Sequence, residues 1–468
     1  MYFKNIIVLS KIVKNTIIYA LGRILPQAVN FVLLPFYTDY LSPTEYGIVE
    51  SMLVLCAVLS IIFSMGTERS MFRVYYDYRN EEEKKKFVGN TAIMIAVNAT
   101  FFLILAFLLG SFISRIYSEI PFNPYFVYAI TISYVTAFAY VPQTLLQVQE
   151  DAMSFFIVSV ASFLAEIGFI VYFVILEKQG AEGLLKGKLI GHFIMLPVYI
   201  YITKKKSIFS IDRTIIRNIL LFSLPMLPSL LMSWVMNMSN RIFIENYFTL
   251  EEVGLFSVAF KISSVATILL GAMFTAYNPM FYRLASEGAK HKIQKNNNML
   301  VLVIFSVGIF TTLFAKDVIL ILNERYYVSV NYVPMLVLSV ILNFLAGIFS
   351  LMIYQNKRSD TMMWIYVFSA IINLLSNWLL VSQYGAYGAS WATVVTALIV
   401  LIVSIVYAKK NYYIPLRYNN LLILSVITIG VSYFSSVMET SWHLFGIKII
   451  LLMMGLGYFC YKKWRLKF

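Results

Sequence analysis

Runs of about 20 apolar residues, the length a helix needs to cross the hydrocarbon of a bilayer, follow one another along nearly the whole chain. On that ruler, spans are expected at roughly 13–38, 46–68, 88–113, 124–147, 153–176, 185–203, 216–240, 253–278, 298–316, 331–355, 361–382, 387–408, 419–437 and 444–461, about fourteen in all. This narrows the fold sharply, because backbone in lipid must satisfy its own hydrogen bonds, and a helix does so within one span. Composition agrees, with 60% hydrophobic residues, 13% charged and a mean hydropathy of +0.78, where a soluble domain carries about 25% charged residues. The expected fold class is an all-α polytopic membrane protein.

Net charge is +14, which by itself would suit a nucleic-acid partner. Its distribution says otherwise. Most of the Lys and Arg fall in alternate loops: Lys4, Lys11 and Lys14, the ERSMFRVYYDYRNEEEKKK segment, KKK at 204–206, Arg283 to Lys295, Lys357 and Arg358, Lys409 to Arg417, and the KKWRLK tail. With both termini cytoplasmic this obeys the positive-inside rule, so the charge is membrane topology and no nucleic acid is expected. The opening MYFKNIIVLSKIVKNTII has a basic flank but lacks a small-residue cleavage site, and is read as a retained cytoplasmic lead-in. EEEKKK at 81–86 pairs Glu81 with Lys85 and Glu82 with Lys86 at i, i+4, the pattern of a solvated helix extension. EKQGAEGLLKGK reads as an outer loop, although its three lysines lie on the wrong side for one.

A weak internal repeat appears at an offset of 207: Asn30 falls on Asn237, Phe36 on Phe243, Tyr40 on Tyr247, Glu45 on Glu252 and Gly47 on Gly254. Six spans separate the copies, so the halves share one orientation about an axis along the membrane normal. The expected organisation is a six-helix bundle over 1–210, a second over 211–412 and two additional transmembrane helices over 413–468. A cleft between repeated halves is where secondary transporters place substrate.

Polar residues inside the spans mark candidate sites. Arg23, Gln27 and Asn30 share a helical face in the first span, and Ser233, Asn237 and Asn240 share one in the seventh, with Arg241 at its edge. Ser257, Lys261 and Ser264 line the eighth, Glu166 stands in the fifth, Glu50 in the second, and Asn373 and Asn377 in the eleventh. Pro26, Pro35, Pro225 and Pro228 break the first span of each half, freeing backbone groups that kink a helix or line a cavity. Isolated Asn and Ser residues commonly serve as interhelical hydrogen-bonding groups, and Arg241 is placed either to snorkel or to face a cleft. Arg23 and Lys261 have a stronger claim to function, since a cation in a span costs at least about 2.5–3.5 kcal/mol. Pairing of either with Glu166 is the structural alternative.

The sequence holds no GxxxxGK[ST] phosphate loop, no HExxH and no GxSxG, so neither an ATPase nor these hydrolases is expected. Cys56 and Cys460 lie in apolar runs, and the three histidines have no ligand spacing, so no metal, cofactor or disulfide framework is expected. The outer loops are too short for a catalytic domain, which disfavours a polysaccharide polymerase or ligase.

The chain resembles the Wzx-type polysaccharide-unit (O-antigen and capsule) flippases of the multidrug/oligosaccharidyl-lipid/polysaccharide exporter superfamily. The resemblance rests on NFVLLPFYTDYLSPTEYGIVES and on SMGTERSMFRVYY. It implies a V-shaped pair of bundles in a bacterial cytoplasmic (inner) membrane, carrying an undecaprenyl-diphosphate-linked oligosaccharide across by alternating access. Arg23, Lys261 and Arg241 would then hold the diphosphate, and Gln27, Asn30, Ser233, Asn237, Ser257 and Ser264 would line the cleft. Glu166 and Glu50 are the candidates for coupling to H+ or Na+. A polysaccharide polymerase and a chain-length regulator would be partners downstream. A cation-coupled multidrug exporter and a flippase for the peptidoglycan lipid precursor are the competing members of the superfamily.

Overall fold

The computed structural model describes residues 31–416 except 118, 356–358 and 411, together with the isolated positions 18, 22, 29 and 430. Among these residues there is no strand. The helices used below are α1 (Leu34–Tyr40), α2 (Pro43–Ser64), α3 (Thr67–Val74), α4 (Glu81–Leu108), α5 (Val127–Val148), α6 (Ala152–Val171), α7 (Gly180–Lys205), α8 (Arg213–Ser223), α9 (Leu227–Tyr247), α10 (Leu250–Ser286), α11 (Lys290–Ile319), α12 (Val333–Gln355) and α13 (Ser359–Lys410). Ten helical segments among the described residues are long and apolar enough to cross a membrane. The chain is a multi-pass helical membrane protein.

The last of those segments holds two crossings. Its 50 residues would extend about 75 Å, more than twice the hydrocarbon thickness. Gly385, at φ 54° and ψ −135°, reverses the chain within it. Asn373 Nδ2 then donates to Thr396 Oγ1 at 3.2 Å, joining residues on the two sides of the turn. Spans eleven and twelve of the sequence reading are therefore a tight hairpin, and Asn373 and Asn377 are buried hydrogen-bonding groups within it. Most of the first expected span and all of the last two except position 430 lie outside the described residues, as do the termini.

Two compact units divide the chain at Gly254/Leu255. The boundary expected at 210/211 thus falls inside the first unit. The cause is α9, which packs on α2: Trp234 Nε1 donates to the Val54 carbonyl at 3.1 Å. A 3-10 turn at Leu224–Met226, carrying Pro225, joins α8 to α9, so the expected proline break is a real interruption of the seventh span. In the first unit, Ala139, Leu146, Phe155, Val158, Met195 and Tyr199 form a core where α5, α6 and α7 meet. In the second, Tyr277 OH donates to the buried Asn297 Oδ1 at 2.6 Å, tying α10 to α11.

The repeat has a physical basis. Ser42 and Thr249 each accept a hydrogen bond from the backbone N–H three residues on, at Glu45 (3.2 Å) and Glu252 (3.3 Å), which caps a helix start. At Ser42 the Glu45 carboxylate returns to the cap N–H at 2.8 Å, completing a capping box. The glycine two positions after each Glu permits close approach. A Cβ at Gly47 would stand 1.8 Å from the Leu250 carbonyl oxygen, and one at Gly254 would stand 2.0 Å from that of Pro43. The repeated Glu-x-Gly is thus a helix-start signal joined to a backbone contact.

Candidate functional site

At the end of α2 the chain breaks. Met65 (φ 50°) and Gly66 (φ 65°) take left-handed backbone, and α3 leaves in a new direction. Helix ends inside an apolar body need partners for their freed carbonyls. Asn98 of α4 supplies them, donating through Nδ2 to the Ile62 and Phe63 carbonyls at 2.9 and 2.7 Å. Thr67 Oγ1 donates to the Ser64 carbonyl at 2.7 Å, closing the break. Glu68, Phe72 and the i, i+4 pair Arg69 and Arg73 of α3 then line a common cavity.

A second close contact builds the opposite wall. Gly187 and Gly191 of α7 lie one turn apart, and a Cβ on them would sit 2.6 Å from Ile170 N and 2.5 Å from Glu166 Cα of α6. Small residues at this spacing let membrane helices touch through their backbones. The approach delivers Lys188 Nζ to Glu166 Oε1, to which it donates, and leaves His192 Nε2 3.8 Å from Oε2 of the same carboxylate.

The open cavity between these walls measures about 810 Å³ and is lined by the first unit alone. Its charged lining is Glu68, Arg69, Arg73, Glu166 and Lys188, three cations against two carboxylates. Tyr140, Gln143, Thr144, Gln147, Ser159 and Ser162 supply neutral polar groups, and Phe72, Phe155, Phe163 and Phe222 supply flat apolar faces. Arg73 is held by Asp77 on its own helix turn. Among the described residues Arg69 has no carboxylate within ion-pair distance, and Glu68 Oε2 is buried without a hydrogen-bond partner. Such a lining is equipped to hold an anion and to bond hydroxyl groups. It contains no grouping of His, Cys, Asp and Glu able to hold a metal among the described residues.

Of the residues singled out from the sequence, Glu166 lines this cavity, where Lys188 donates to it. Arg23, Gln27 and Asn30 lie outside the described residues; Gly22, next to Arg23 in sequence, lines the cavity. Arg241, placed by sequence at a cleft edge or interface, is instead 3% exposed, with Nη2 3.6 Å from Glu50 Oε2. Two expected site residues therefore pair with each other, because α9 packs along α2. Ser233 and Asn237 are exposed on α9, with Asn237 Nδ2 donating to the Ser233 carbonyl at 2.7 Å. In the eighth span Ser257 is buried, Lys261 is half-buried and Ser264 Oγ donates to the Lys261 carbonyl at 2.6 Å.

Arg69, Arg73 and Lys188 were missed as site residues. The first two read as loop charges, although their i, i+4 spacing behind a Ser-Met-Gly break was visible. Lys188 falls where the EKQGAEGLLKGK loop reading overlaps the start of the span expected at 185–203, whereas α7 begins at Gly180 and places it well within the helix. The Gly183, Gly187, Gly191 series was the available signal that this segment packs as a helix.

A family model described as polysaccharide biosynthesis protein matches residues 12–285. Protein 1 of the Lsg locus of Haemophilus influenzae is 24% identical over 287 residues, covering 59% of this chain and 67% of that protein. Among solved structures, the lipid II flippase MurJ in an inward closed conformation superposes with a TM-score of 0.77 at 12% identity, over 96% of this chain and 99% of that one. An inward-facing MATE family multidrug resistance transporter of the MOP superfamily superposes with a TM-score of 0.64 at 15% identity, over 82% and 94%. These likenesses establish a membrane-transporter fold, and the neighbours are transporters and flippases rather than enzymes.

Proposed function

The chain belongs to the polysaccharide biosynthesis protein family, and from that membership we propose that it is a flippase for lipid-linked oligosaccharide repeat units. It would carry an undecaprenyl-diphosphate-linked unit from the cytoplasmic to the outer leaflet of a bacterial cytoplasmic membrane by alternating access, for surface polysaccharide assembly. The observation that carries this reading is the cavity of about 810 Å³ with Arg69, Arg73 and Lys188 on its wall.

A diphosphate cannot cross about 30 Å of hydrocarbon bare, because its charge loses its hydration there. A polar cavity inside a membrane unit replaces that hydration. Arg69 offers a planar, bidentate donor to a phosphate and Lys188 a point charge. Glu166 keeps Lys188 compensated when the cavity is empty, and an arriving phosphate competes with it for the ammonium. Gln143, Gln147, Ser159 and Ser162 face the same space and suit sugar hydroxyls, while Phe and Tyr faces suit the apolar sides of sugar rings. Arg23 and Lys261 extend the cationic set in this reading, and Glu166 is the group through which H+ or Na+ would couple. A polymerase and a chain-length regulator would consume the product. The excess of cations over carboxylates argues against a carrier of cationic drugs.

The test is surface polymer in a strain dependent on this protein, read beside membrane abundance of the variant. Arg69→Ala and Lys188→Ala, and likewise Arg23→Ala and Lys261→Ala, are expected to abolish polymer and to leave lipid-linked units in the cytoplasmic leaflet, with the protein still inserted. Normal polymer from both Arg69→Ala and Lys188→Ala would sink the cationic-cavity reading. Topology is checked by single cysteines: Ser42→Cys should label from outside, and Ser207→Cys only from the cytoplasm.

A further inference from the structure

EEEKKK at 81–86 and KKK at 204–206 come together in the fold. Lys84, Lys85, Lys205 and Lys206, with Tyr75 and Gln149, line a crevice of about 90 Å³ where the start of α4 meets the ends of α5 and α7. Glu81 also lines it and pairs with Lys84 at 2.8 Å. Lys206 Nζ donates to Gln149 Oε1 at 2.6 Å and stands 4.0 Å from Asp151. Lys205 Nζ lies 5.8 Å from the Tyr201 ring. Among the described residues neither Lys85 nor Lys205 has a carboxylate within 4.0 Å. The lysine pairs are held in place by backbone: Ile208 N donates to the Lys85 carbonyl at 2.9 Å.

A second void follows the same three helices. It is a groove of about 190 Å³ whose wall includes Ala92, Ala96, Phe138, Val141 and Ile200, with Lys204 also on it. On α4 the crevice residues 81, 85 and 88 continue into the groove residues 92 and 96 at steps of three or four, which is one helix face. On α5, Phe138 and Val141 lead toward Gln149, and on α7, Tyr199 and Thr203 lead to Lys206 at the same steps. A cationic crevice at the helix ends therefore lies on the same helix faces as an apolar groove within the spans. Neither void shares a lining residue with the charged cavity.

We propose that this slot binds an anionic membrane phospholipid, with its phosphate on Lys85 and Lys205 and one acyl chain along the groove. Charge selects the headgroup, since basic pockets between membrane helices attract anionic lipids. The groove selects a lipid over a soluble phosphate, because nothing in a free phosphate would fill it. Sugar is excluded from the groove by its nearly unbroken apolar wall. The site is independent of the cavity assigned to transport.

The experiment uses the purified full-length protein in detergent, titrated with phosphatidylglycerol, phosphatidylcholine, undecaprenyl phosphate or inorganic phosphate. Bound lipid is read by native mass spectrometry and stability by thermal unfolding. Phosphatidylglycerol is expected to form a one-lipid adduct and raise the unfolding temperature, with phosphatidylcholine binding about tenfold more weakly. The double variant Lys85→Gln/Lys205→Gln should weaken the phosphatidylglycerol adduct by about tenfold and leave the phosphatidylcholine level unchanged. Ala96→Phe, which fills the groove and keeps every charge, should also remove the adduct while unfolding normally in lipid-free detergent. Full phosphatidylglycerol binding by either variant overturns the proposal. So does equal stabilisation by inorganic phosphate, which would make this a phosphate site. Displacement of phosphatidylglycerol by equimolar undecaprenyl phosphate would give the slot to the carrier lipid and overturn it as well.

Discussion

Glu50–Arg241 and Glu166–Lys188 are both carboxylate–cation pairs between membrane helices of the first unit, yet their surroundings differ. The first is sealed between α2 and α9, its side chains 7% and 3% exposed; the second borders the cavity, its side chains 15% and 23% exposed. A sealed pair has lost water on both partners, so each charge depends on the other and on correct helix register. A pair at a polar cavity retains neighbours that can replace either partner, and a ligand phosphate is one such replacement. Formal charge in a span therefore does not identify a binding residue. Access to the cavity does.

The sharpest way to break this comparison is to remove one member of each pair. Arg241→Ala should destabilise the protein by about 3–5 kcal/mol, because a buried ion pair loses one of its members. Thermal unfolding in detergent reads this, and the double change Glu50→Gln/Arg241→Gln should recover much of the loss. A small effect of Arg241→Ala would mean that the pair does not set register. Gly191→Ala comes next: its Cβ would meet the Glu166 backbone at 2.5 Å, a clash worth about 1–3 kcal/mol. Separating α6 from α7 in this way should lower both stability and polymer output.

Lys188→Ala should cost less than Arg241→Ala, since Glu166 borders the polar cavity, while abolishing transport measured as surface polymer. If Lys188→Ala unfolds the protein as Arg241→Ala does, the two pairs are alike and the comparison fails. The smallest effect is expected at Lys86, whose pair with Glu82 is exposed at 2.7 Å. Lys86→Gln should leave the unfolding temperature unchanged, and a measurable shift would show that the solvated extension is part of the packed unit.

Glu245 sharpens the same contrast from another side. One turn beyond Arg241, it is 1% exposed and neither carboxylate oxygen has a hydrogen-bond partner among the described residues. No sequence pattern singled it out, since it lies near the end of a span where an interfacial carboxylate is ordinary. Its burial comes from the packing of α9, as does that of Arg241. The reverse happened at Lys188, where a Gly-rich, lysine-bearing segment resembled a loop. Its glycines serve close helix packing, and that packing draws the lysine inside.

The sequence by itself determined that this is a helical multi-pass membrane protein, because runs of apolar residues at bilayer length admit few other solutions. It also carried the repeat, through paired helix-start signals with a glycine two residues later, and the positions of most crossings. Only the tertiary structure decided which intramembrane charges meet. Those meetings depend on helix rotation and separation, set by side chains and glycines far apart in sequence. A shift of one helical turn would break the sealed Glu50–Arg241 pair. Likewise, an added methyl at Gly187 or Gly191 would part the helices that bring Lys188 to Glu166.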